Sequence, residues 1–264
     1  MLTLSHVSKT FNPNTINERR ALDNLSLNVE KGEFVTIIGS NGAGKSTLFN
    51  AITGQFLVDD GQIILDGKPI TATSEHKRAF DIGRLMQDPM KGTAPNMTIE
   101  ENLSLAYTRK SKKGFFALNH SDREYFKSIL SELDLGLENR MKTKVGQLSG
   151  GQRQAVTLLM CTISSPKLLL LDEHTAALDP ATAQKILSVT EEIIDRGNIT
   201  TLMITHDINA ALKLGSRTIM MDDGKVIFDI SGDARSRMTL DEVRSLYTQN
   251  SKKTLTNDRM LFAK

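Results

Sequence analysis

A glycine-rich loop between an apolar strand and a helix restricts the possible folds of this chain more than any other feature of its sequence. The motif GSNGAGKST occupies residues 39–47 and directly follows the apolar segment FVTII, which has the composition of a buried strand. A helix is predicted from Lys45 to Gly54. This strand–loop–helix order is the context in which the pattern GxxxxGKS forms a P-loop. The sequence therefore predicts a phosphate cradle at this position.

The residue types of the loop fit phosphate chemistry. Glycines let backbone N–H groups turn toward phosphate oxygens, and the start of a helix adds a favourable dipole. Lys45 supplies a positive charge to the β- and γ-phosphates, and the Ser46 hydroxyl is suited to ligate Mg²⁺. A chance glycine-rich turn is the alternative, and the flanking strand and helix argue against it. The predicted nucleotide-binding residues of the loop are Gly39, Ser40, Asn41, Gly42, Ala43, Gly44, Lys45, Ser46 and Thr47.

Two adjacent carboxylates end a second apolar strand. The segment LLLLDEH covers residues 168–174, and binding crevices lie at the carboxyl edge of a parallel sheet. Because neighbouring strand residues point to opposite sides, the two acids need different roles. Asp172 is predicted to belong to the Mg²⁺ shell, and Glu173 to accept a proton from an attacking water. A polar strand end without chemistry is the alternative, and the P-loop favours the catalytic interpretation.

The motif LSGGQ at residues 148–152 is a second candidate phosphate site. Ser149 and Gln152 have the spacing of a capping box for the following helix. That structural role does not explain Gly150 and Gly151, since two glycines in a first turn lower helix propensity. A helix start with bare amides and a serine can bind a phosphate. Because one γ-phosphate does not need two cradles in one monomer, LSGGQ is predicted to serve the ATP of another subunit.

Composition is that of an ordinary globular protein. The 264 residues are 39% hydrophobic and 24% charged, with a net charge of +2, so the charge balance requires neither nucleic acid nor an anionic membrane as a partner. The single cysteine, Cys161, excludes an internal disulfide, and its apolar surroundings predict a buried, unreactive thiol. No stretch approaches the roughly eighteen apolar residues of a membrane helix. We therefore expect a cytoplasmic protein, for which another chain would supply any membrane channel.

The first third of the chain reads as short strands separated by turns. The polar segment at residues 12–20 is predicted to be an exposed hairpin loop. Residues 98–135 are predicted to be helical, beginning with a capping box of Thr98 and Glu101. The basic patch RKSKKG at residues 109–114 is predicted to be a solvated loop, with nucleic-acid binding as the less favoured alternative.

The second half of the chain alternates between helices and strands. From Leu148 onwards, helical segments separate the apolar strands KLLLLDE and TTLMITH, which predicts a parallel sheet buried on both faces. Thr239 and Glu242 predict a capping box for a C-terminal helix. The polar end QNSKKTLTNDRM is predicted to be frayed.

With these motifs, the sequence resembles the ATP-binding-cassette (ABC) nucleotide-binding subunits over nearly its whole length. LSGGQ matches the family signature, and the motifs fall in the family's order and approximate spacing. The resemblance implies an α/β fold, namely a P-loop NTPase of the ABC type with a RecA-like core, an antiparallel β subdomain and a helical subdomain. Residues 1–264 would form one ABC ATPase domain. Residues 1–86 and 166–235 would be the nucleotide-binding core with its β subdomain, 87–165 the helical lobe, and 236–264 the C-terminal helix and tail.

The resemblance also implies roles for single residues. Phe11 matches the aromatic residue that stacks on adenine, and Gln87 matches the glutamine that links the γ-phosphate and Mg²⁺ site to the helical lobe. Asp179 belongs to a loop that crosses to the partner subunit, and His206 matches the histidine that contacts the γ-phosphate. Taken alone, an aromatic residue is usually core and a lone glutamine or histidine is satisfied locally. The implied catalytic residues are Glu173, His206, Lys45 and Gln87, the implied metal ligands are Ser46, Gln87 and Asp172, and the implied residues on the partner's nucleotide are Ser149, Gly150, Gly151, Gln152 and Asp179.

One position departs from the family pattern. The family usually has proline after the catalytic glutamate, whereas this chain has His174. We expect the imidazole to be a neutral spacer rather than a participant in the chemistry. The departure leaves the role of Glu173 unchanged. It does remove the basis for assuming that ATP hydrolysis has the family's ordinary dependence on pH.

The phrases FNPNTINERRAL, QDPMKGTAPNMTIEENL and DEHTAALDP resemble a subgroup of bacterial importer ATPases. That subgroup works with a permease and a lipoprotein or periplasmic binding protein, and aromatic amino acids such as tryptophan are its suspected cargo. The resemblance implies an ATPase that needs ATP and Mg²⁺, dimerises with a second copy around two Mg-ATP, and lies peripherally on the inner face of the cell membrane. It would bind a permease and, indirectly, an extracytoplasmic substrate-binding protein, but no nucleic acid.

Two other functions compete with the importer interpretation. The ATPase of an exporter or lipid-extracting complex would share every catalytic residue. A soluble DNA-repair or ribosome-associated cassette protein usually carries two cassettes, long coiled-coil insertions or zinc motifs, none of which the sequence contains.

The segment from Asp88 to Leu105 is the expected permease contact. Met86, Met90 and Met97 would give an adaptable apolar groove for a permease helix. Core packing is an equally good alternative for each of these methionines.

Overall fold

The computed structural model describes residues 1–109 and 119–250. In these ranges the strands are β1 (Leu2–Phe11), β2 (Arg19–Val29), β3 (Phe34–Gly39), β4 (Asp60–Leu65), β5 (Lys68–Pro69), β6 (Ile82–Leu85), β7 (Leu168–Asp172), β8 (Thr200–Ile204), β9 (Arg217–Asp222) and β10 (Lys225–Ser231). The helices in the same ranges are α1 (Lys45–Thr53), α2 (Glu75–Arg78), α3 (Ile99–Thr108), α4 (His120–Ser131), α5 (Gly150–Thr162), α6 (Pro180–Gly197), α7 (Ile208–Lys213), α8 (Gly232–Ser236) and α9 (Leu240–Asn250).

Among the described residues, none of these helices combines the length and the apolar character that a membrane crossing requires. Most of the basic patch RKSKKG and the polar end after Asn250 lie outside the described ranges.

The chain divides into two compact units. Unit 1 consists of Met1–Ala79 with the described part of Ile199–Lys264, and unit 2 is Phe80–Asn198. The division into core, helical lobe and tail at the boundaries given above stays a prediction.

Unit 1 contains an antiparallel sheet in the order β2-β1-β4-β5. The predicted hairpin loop connects β1 and β2, whose pairing ends with Phe11 opposite Arg19. Strand β2 begins at Arg19, so the loop is residues 12–18 and both arginines of the predicted range belong to the strand. The hairpin therefore fixes which side chains lie opposite the aromatic residue at the end of β1.

Unit 1 also contains strands in the order β10-β9-β3-β8. Strand β3 pairs in parallel with both β8 and β9, and every residue of β3 and β8 is buried. The prediction of a buried parallel sheet is confirmed for these strands. Because parallel strands align their carboxyl ends, the loops that follow β3 and β8 lie at one edge.

Helix α1 follows the P-loop and has the predicted bounds, from Lys45 to its C-cap at Gly54. Its last turn is held by the buried guanidinium of Arg78, whose Nη1 donates to the carbonyls of Ala51 and Ile52 at 2.8 and 2.9 Å. A cation at this end also complements the negative end of the helix dipole. Arg78 thus anchors the helix whose start forms part of the phosphate cradle.

Unit 2 contains the parallel pair β6 and β7, in register from Ile82 with Leu168 to Leu85 with Leu171. The four leucines of β7 are fully buried. The unit also contains helices α3, α4, α5 and α6, and the capping boxes predicted at Thr98 and Ser149 are both present. The capping interactions predicted between Thr239 and Glu242, in unit 1, are also present.

Candidate nucleotide-hydrolysis site

The P-loop of unit 1 is a tight turn with a lysine folded into it. Gly39 has φ 149°, and a Cβ at this position would lie 2.2 Å from the carbonyl oxygen of Met221, so the backbone requires glycine. The buried Lys45 ammonium donates to the carbonyls of Gly39 and Ser40 at 2.6 and 3.0 Å. Ser46 is exposed at the start of α1. The loop therefore presents a cation, a hydroxyl and a helix N-terminus together, the group set that binds phosphate.

Two further predicted residues lie in unit 1. Thr205 donates its N–H to the carbonyl of Ile37 at 3.1 Å, so the next residue, His206, leaves β8 at the edge where β3 enters the P-loop. Phe11 ends β1 with 36% of its surface exposed. Its ring packs edge-to-face on Phe56, with the centroids 5.3 Å apart. Phe11 is thus not a core residue, and exposed ring surface is available for stacking.

Unit 2 brings Gln87 and Asp172 together. The register of β6 with β7 aligns their carboxyl ends, and both side chains line a cavity of about 410 Å³. Among the described residues no three His, Cys, Asp or Glu side chains cluster as metal ligands. A Mg²⁺ held by one carboxylate, one amide oxygen and substrate phosphates needs no such cluster. The donors present therefore fit the predicted ion.

Asp172 is oriented by an ion pair that the sequence analysis missed. Arg84 Nη2 lies 3.0 Å from Asp172 Oδ2, and both side chains are largely buried. Arg84 lies opposite Leu170 in the β6–β7 register, which places it on the same face as Asp172, two residues further along. The one available signal was a charged residue inside the otherwise apolar segment IGRL.

Glu173 has a strained backbone. It follows β7 directly and adopts φ 48°, in the left-handed region that non-glycine residues seldom occupy. Such conformations cost of order 1–3 kcal/mol and cluster at functional sites. This backbone conformation turns the chain sharply after Asp172, so β7 ends there and Glu173 lies outside the strand.

The signature motif begins α5 in unit 2. Ser149 is the exposed N-cap, and its Oγ accepts from the N–H of Gln152 at 3.3 Å. Gly151 is buried, and a Cβ there would lie 2.2 Å from Thr182 Cγ2. At Gly150 the nearest atom, Leu178 Cδ2, would be 3.3 Å away. Packing of α5 on α6 therefore explains Gly151, so a glycine at that position is not by itself a sign of a ligand.

Asp179 caps the neighbouring helix. Its carboxylate accepts from the N–H of Thr182 at 3.1 Å, and hydrogen bonding from Thr182 lowers the pKa of Asp179. Because α5 and α6 pack at Gly151, the exposed helix starts that carry Ser149 and Asp179 are adjacent. Unit 2 thus presents two predicted nucleotide-contact residues on one surface.

Two titratable groups of unit 2 are held uncharged. His174 is 3% exposed, and burial lowers its pKa to about 4, so the imidazole is neutral at pH 7, as expected for a spacer. Its Nε2 lies 3.4 Å from Thr190 Oγ1. The Cys161 thiol donates to the carbonyl of Arg84 at 3.2 Å, and burial raises its pKa to about 12. The raised pKa fits the predicted unreactive thiol, but the residue is of intermediate exposure rather than fully buried.

Comparison with known proteins decides the family. A sequence profile of the ABC transporter family matches residues 22–176, more than half of the chain. The chain belongs to the ABC transporter family. The tyrosine transport ATP-binding protein of Clostridioides difficile is 43% identical to it over 92% of this chain and 97% of its own length. The phosphonates import ATP-binding protein of Halobacterium salinarum is 34% identical over 92% of this chain and 84% of its own.

Solved cassettes share the fold. The dimeric structure of a post-hydrolysis state of an ATP-binding cassette bound to ADP and phosphate has a TM-score of 0.76 and 30% identity, covering 88% of this chain and 98% of its own. This chain is an ABC transport ATPase of the importer type. The predictions of family, fold class and ATPase activity are confirmed. The roles of individual residues stay predictions.

Replacement of Gly151 tests the packing explanation. We expect Gly151→Ala to lower the free energy of unfolding by about 1–3 kcal/mol, because the new methyl overlaps Thr182 Cγ2. Adding Thr182→Ser removes that carbon while keeping the N–H that bonds Asp179, and should restore most of the loss. Urea unfolding of the two single variants and the double variant measures the coupling. Equal losses with and without Thr182→Ser would contradict the explanation.

Proposed function

We propose that the chain is the ATP-hydrolysing subunit of an importer that dimerises around two Mg-ATP and drives a separate membrane permease for an aromatic amino acid. The observation that carries the proposal is the presence of two phosphate-type surfaces in one chain. One is the P-loop around Lys45, and the other is the exposed helix start at Ser149. In a dimer, the P-loop of one copy and the helix start at Ser149 of the other would bind the same nucleotide.

Each copy would bind one ATP through unit 1. The exposed ring of Phe11 would stack on adenine, while the P-loop amides and the Lys45 ammonium bind the β- and γ-phosphates. On nucleotide binding, Lys45 would exchange its bonds to the carbonyls of Gly39 and Ser40 for bonds to phosphate oxygens. These carbonyls keep the ammonium correctly positioned beforehand, which is the preorganisation that electrostatic stabilisation needs.

Ser46, Asp172 and Gln87 would hold Mg²⁺. When bound, Mg²⁺ supplies charge neutralisation on the phosphate oxygens. Arg84 holds the Asp172 carboxylate in position through its ion pair. Gln87, two residues after the end of β6, would couple the state of the nucleotide to the segment that follows it.

Hydrolysis needs a base and a γ-phosphate contact. Glu173 is proposed as the general base that accepts a proton from the attacking water. Its left-handed backbone turns the residue away from the strand direction of Asp172, in keeping with separate roles for the two acids. His206 would hold the γ-phosphate from the edge of β8, next to the P-loop.

The second copy would close the site head-to-tail. Ser149 and the amide groups at the start of α5 would cap the γ-phosphate bound by the partner, with Asp179 contacting the same nucleotide site from α6. Similarity to a dimeric cassette structure with ADP and phosphate supports this arrangement. Loss of the γ-phosphate removes the shared ligand, and the dimer would then open.

Glu173→Gln tests the base. We expect hydrolysis to fall by about 10²–10⁴-fold, because a general base is lost while the phosphate cradle is kept. ATP should then accumulate in a stable dimer, seen as an earlier peak in size-exclusion chromatography. Glu124→Gln, an exposed carboxylate on α4, is the matched control and should hydrolyse ATP like the wild type. Turnover of Glu173→Gln within a few-fold of the wild type would rule out this role.

The permease is proposed to dock on unit 2 between Asp88 and Leu105. Asp88 caps a 3₁₀ turn at Pro89–Gly92 by accepting from the N–H of Met90 at 2.9 Å. Met90 and Leu105 are large apolar side chains that are 39% and 44% exposed. A flexible methionine on a short turn suits the irregular surface of a partner helix.

Met90→Glu tests the docking surface. With the permease co-expressed, the wild type should fractionate with membranes and Met90→Glu should be released, since a charge replaces the apolar contact. Basal ATP hydrolysis should change less than about twofold, because the phosphate contacts lie elsewhere. Ile16→Glu, at a fully exposed position in the β1–β2 loop, is the control and should stay with membranes. Membrane association of the wild type without any permease would contradict the docking proposal.

The cargo is proposed to be an aromatic amino acid, delivered by an extracytoplasmic substrate-binding protein. Similarity to a tyrosine transport ATP-binding protein supports this class. We expect a deletion strain to lose uptake of labelled tryptophan or tyrosine, and the plasmid-borne wild type, but not Glu173→Gln, to restore it. Unchanged uptake of both amino acids with loss of another solute would reject the cargo and leave the transport function standing.

A further inference from the structure

Arg19 lies between the two parts of the candidate nucleotide site in unit 1. It is paired directly opposite Phe11 in the antiparallel β1–β2 register, and opposite residues of such a pair share one face of the sheet. Its guanidinium reaches the P-loop, where Nη2 donates to the carbonyl of Gly42 at 2.6 Å. The Arg19 side chain therefore extends from the strand position opposite Phe11 to Gly42 in the middle of the P-loop.

The part of ATP that must cross this space is the ribose and the α-phosphate. Adenine is assigned to Phe11, and the β- and γ-phosphates to Lys45 and the amides at the start of α1. A guanidinium has five N–H donors in a planar fork. One of them bonds to Gly42, which fixes the plane of the group and leaves further donors for a second acceptor. An anionic oxygen beside the loop is the acceptor that such a fork recognises best.

We propose that Arg19 is a further nucleotide-binding residue that contacts the α-phosphate of the bound nucleotide. This inference rests on the proposed nucleotide site. Because ATP and ADP share the α-phosphate, Arg19 contributes equally to the binding of both. The γ-phosphate contacts of the partner subunit distinguish the two nucleotides instead.

The neighbouring cations are engaged elsewhere. Arg20 forms an ion pair with Asp23 at 2.8 Å. Lys9, which lies near the Phe11 ring, forms an ion pair with Asp59 at 2.7 Å. Of these three cations, Arg19 is the one that hydrogen-bonds to the P-loop, which favours it for the α-phosphate contact.

Replacement of Arg19 tests the proposal by calorimetric titration of the purified protein with ATP and with ADP. We expect Arg19→Gln to weaken both by a similar factor, about five- to tenfold at low salt, as the loss of one charge-assisted hydrogen bond at an exposed site implies. The difference from wild type should shrink as salt is added, because an exposed ionic contact is screened. Arg19→Lys should recover part of the affinity, since it keeps the charge but not the fork. Arg20→Gln is the matched control and should bind like the wild type.

Three results would contradict either the Arg19 contact or the nucleotide site on which it rests. Wild-type affinity of Arg19→Gln for both nucleotides overturns the α-phosphate contact. A salt-independent loss of affinity accompanied by a lower melting temperature of the nucleotide-free protein also overturns it, because Arg19 would then only support the loop. Lys45→Ala is included to test the site itself. Unchanged ATP affinity of Lys45→Ala overturns the proposed nucleotide site. If Lys45→Ala loses ATP affinity while Arg19→Gln binds like the wild type, the role of Arg19 alone is rejected.

Discussion

The parallel pairing of buried strands is the constraint on which the candidate site depends. In unit 1 the pairing of β3 with β8 carries the P-loop and His206 to the same edge. In unit 2 the pairing of β6 with β7 does the same for Gln87 and Asp172. Each of these polar groups lies at or just beyond the carboxyl end of a largely buried strand, so a one-residue change of register would remove it from the edge. Burial of these strands thus sets the position of groups that contribute nothing to the core.

Features encoded by local chemistry were predicted well from the sequence. The P-loop, the bounds of α1 and the three capping interactions need only residues a few positions apart. The strand and loop pattern around the β1–β2 hairpin was also predicted, apart from the start of β2 at Arg19. Short-range spacing determines all of these, so no knowledge of the tertiary fold was necessary.

Contacts across the fold were not predicted, because they depend on register. Arg84 meets Asp172 only because β6 pairs with β7, and Arg19 reaches Gly42 only because the hairpin places it opposite Phe11. Gly151 is the clearest case. From the sequence it indicated a nearby ligand, whereas its close neighbour is Thr182 on α6, thirty-one positions along the chain. Proposals for the signature motif therefore rest on the exposed helix start at Ser149 rather than on its glycines.

The central proposal is that the signature of one copy completes the nucleotide site of the other. Its most direct test mixes a Lys45→Ala chain with a Ser149→Arg chain, each of which alone has two damaged composite sites. A head-to-tail mixed dimer contains one doubly damaged site and one intact site, so ATP-dependent dimerisation and part of the hydrolysis should return in the mixture. If neither returns at any mixing ratio, the signature acts within its own chain and the composite site is contradicted.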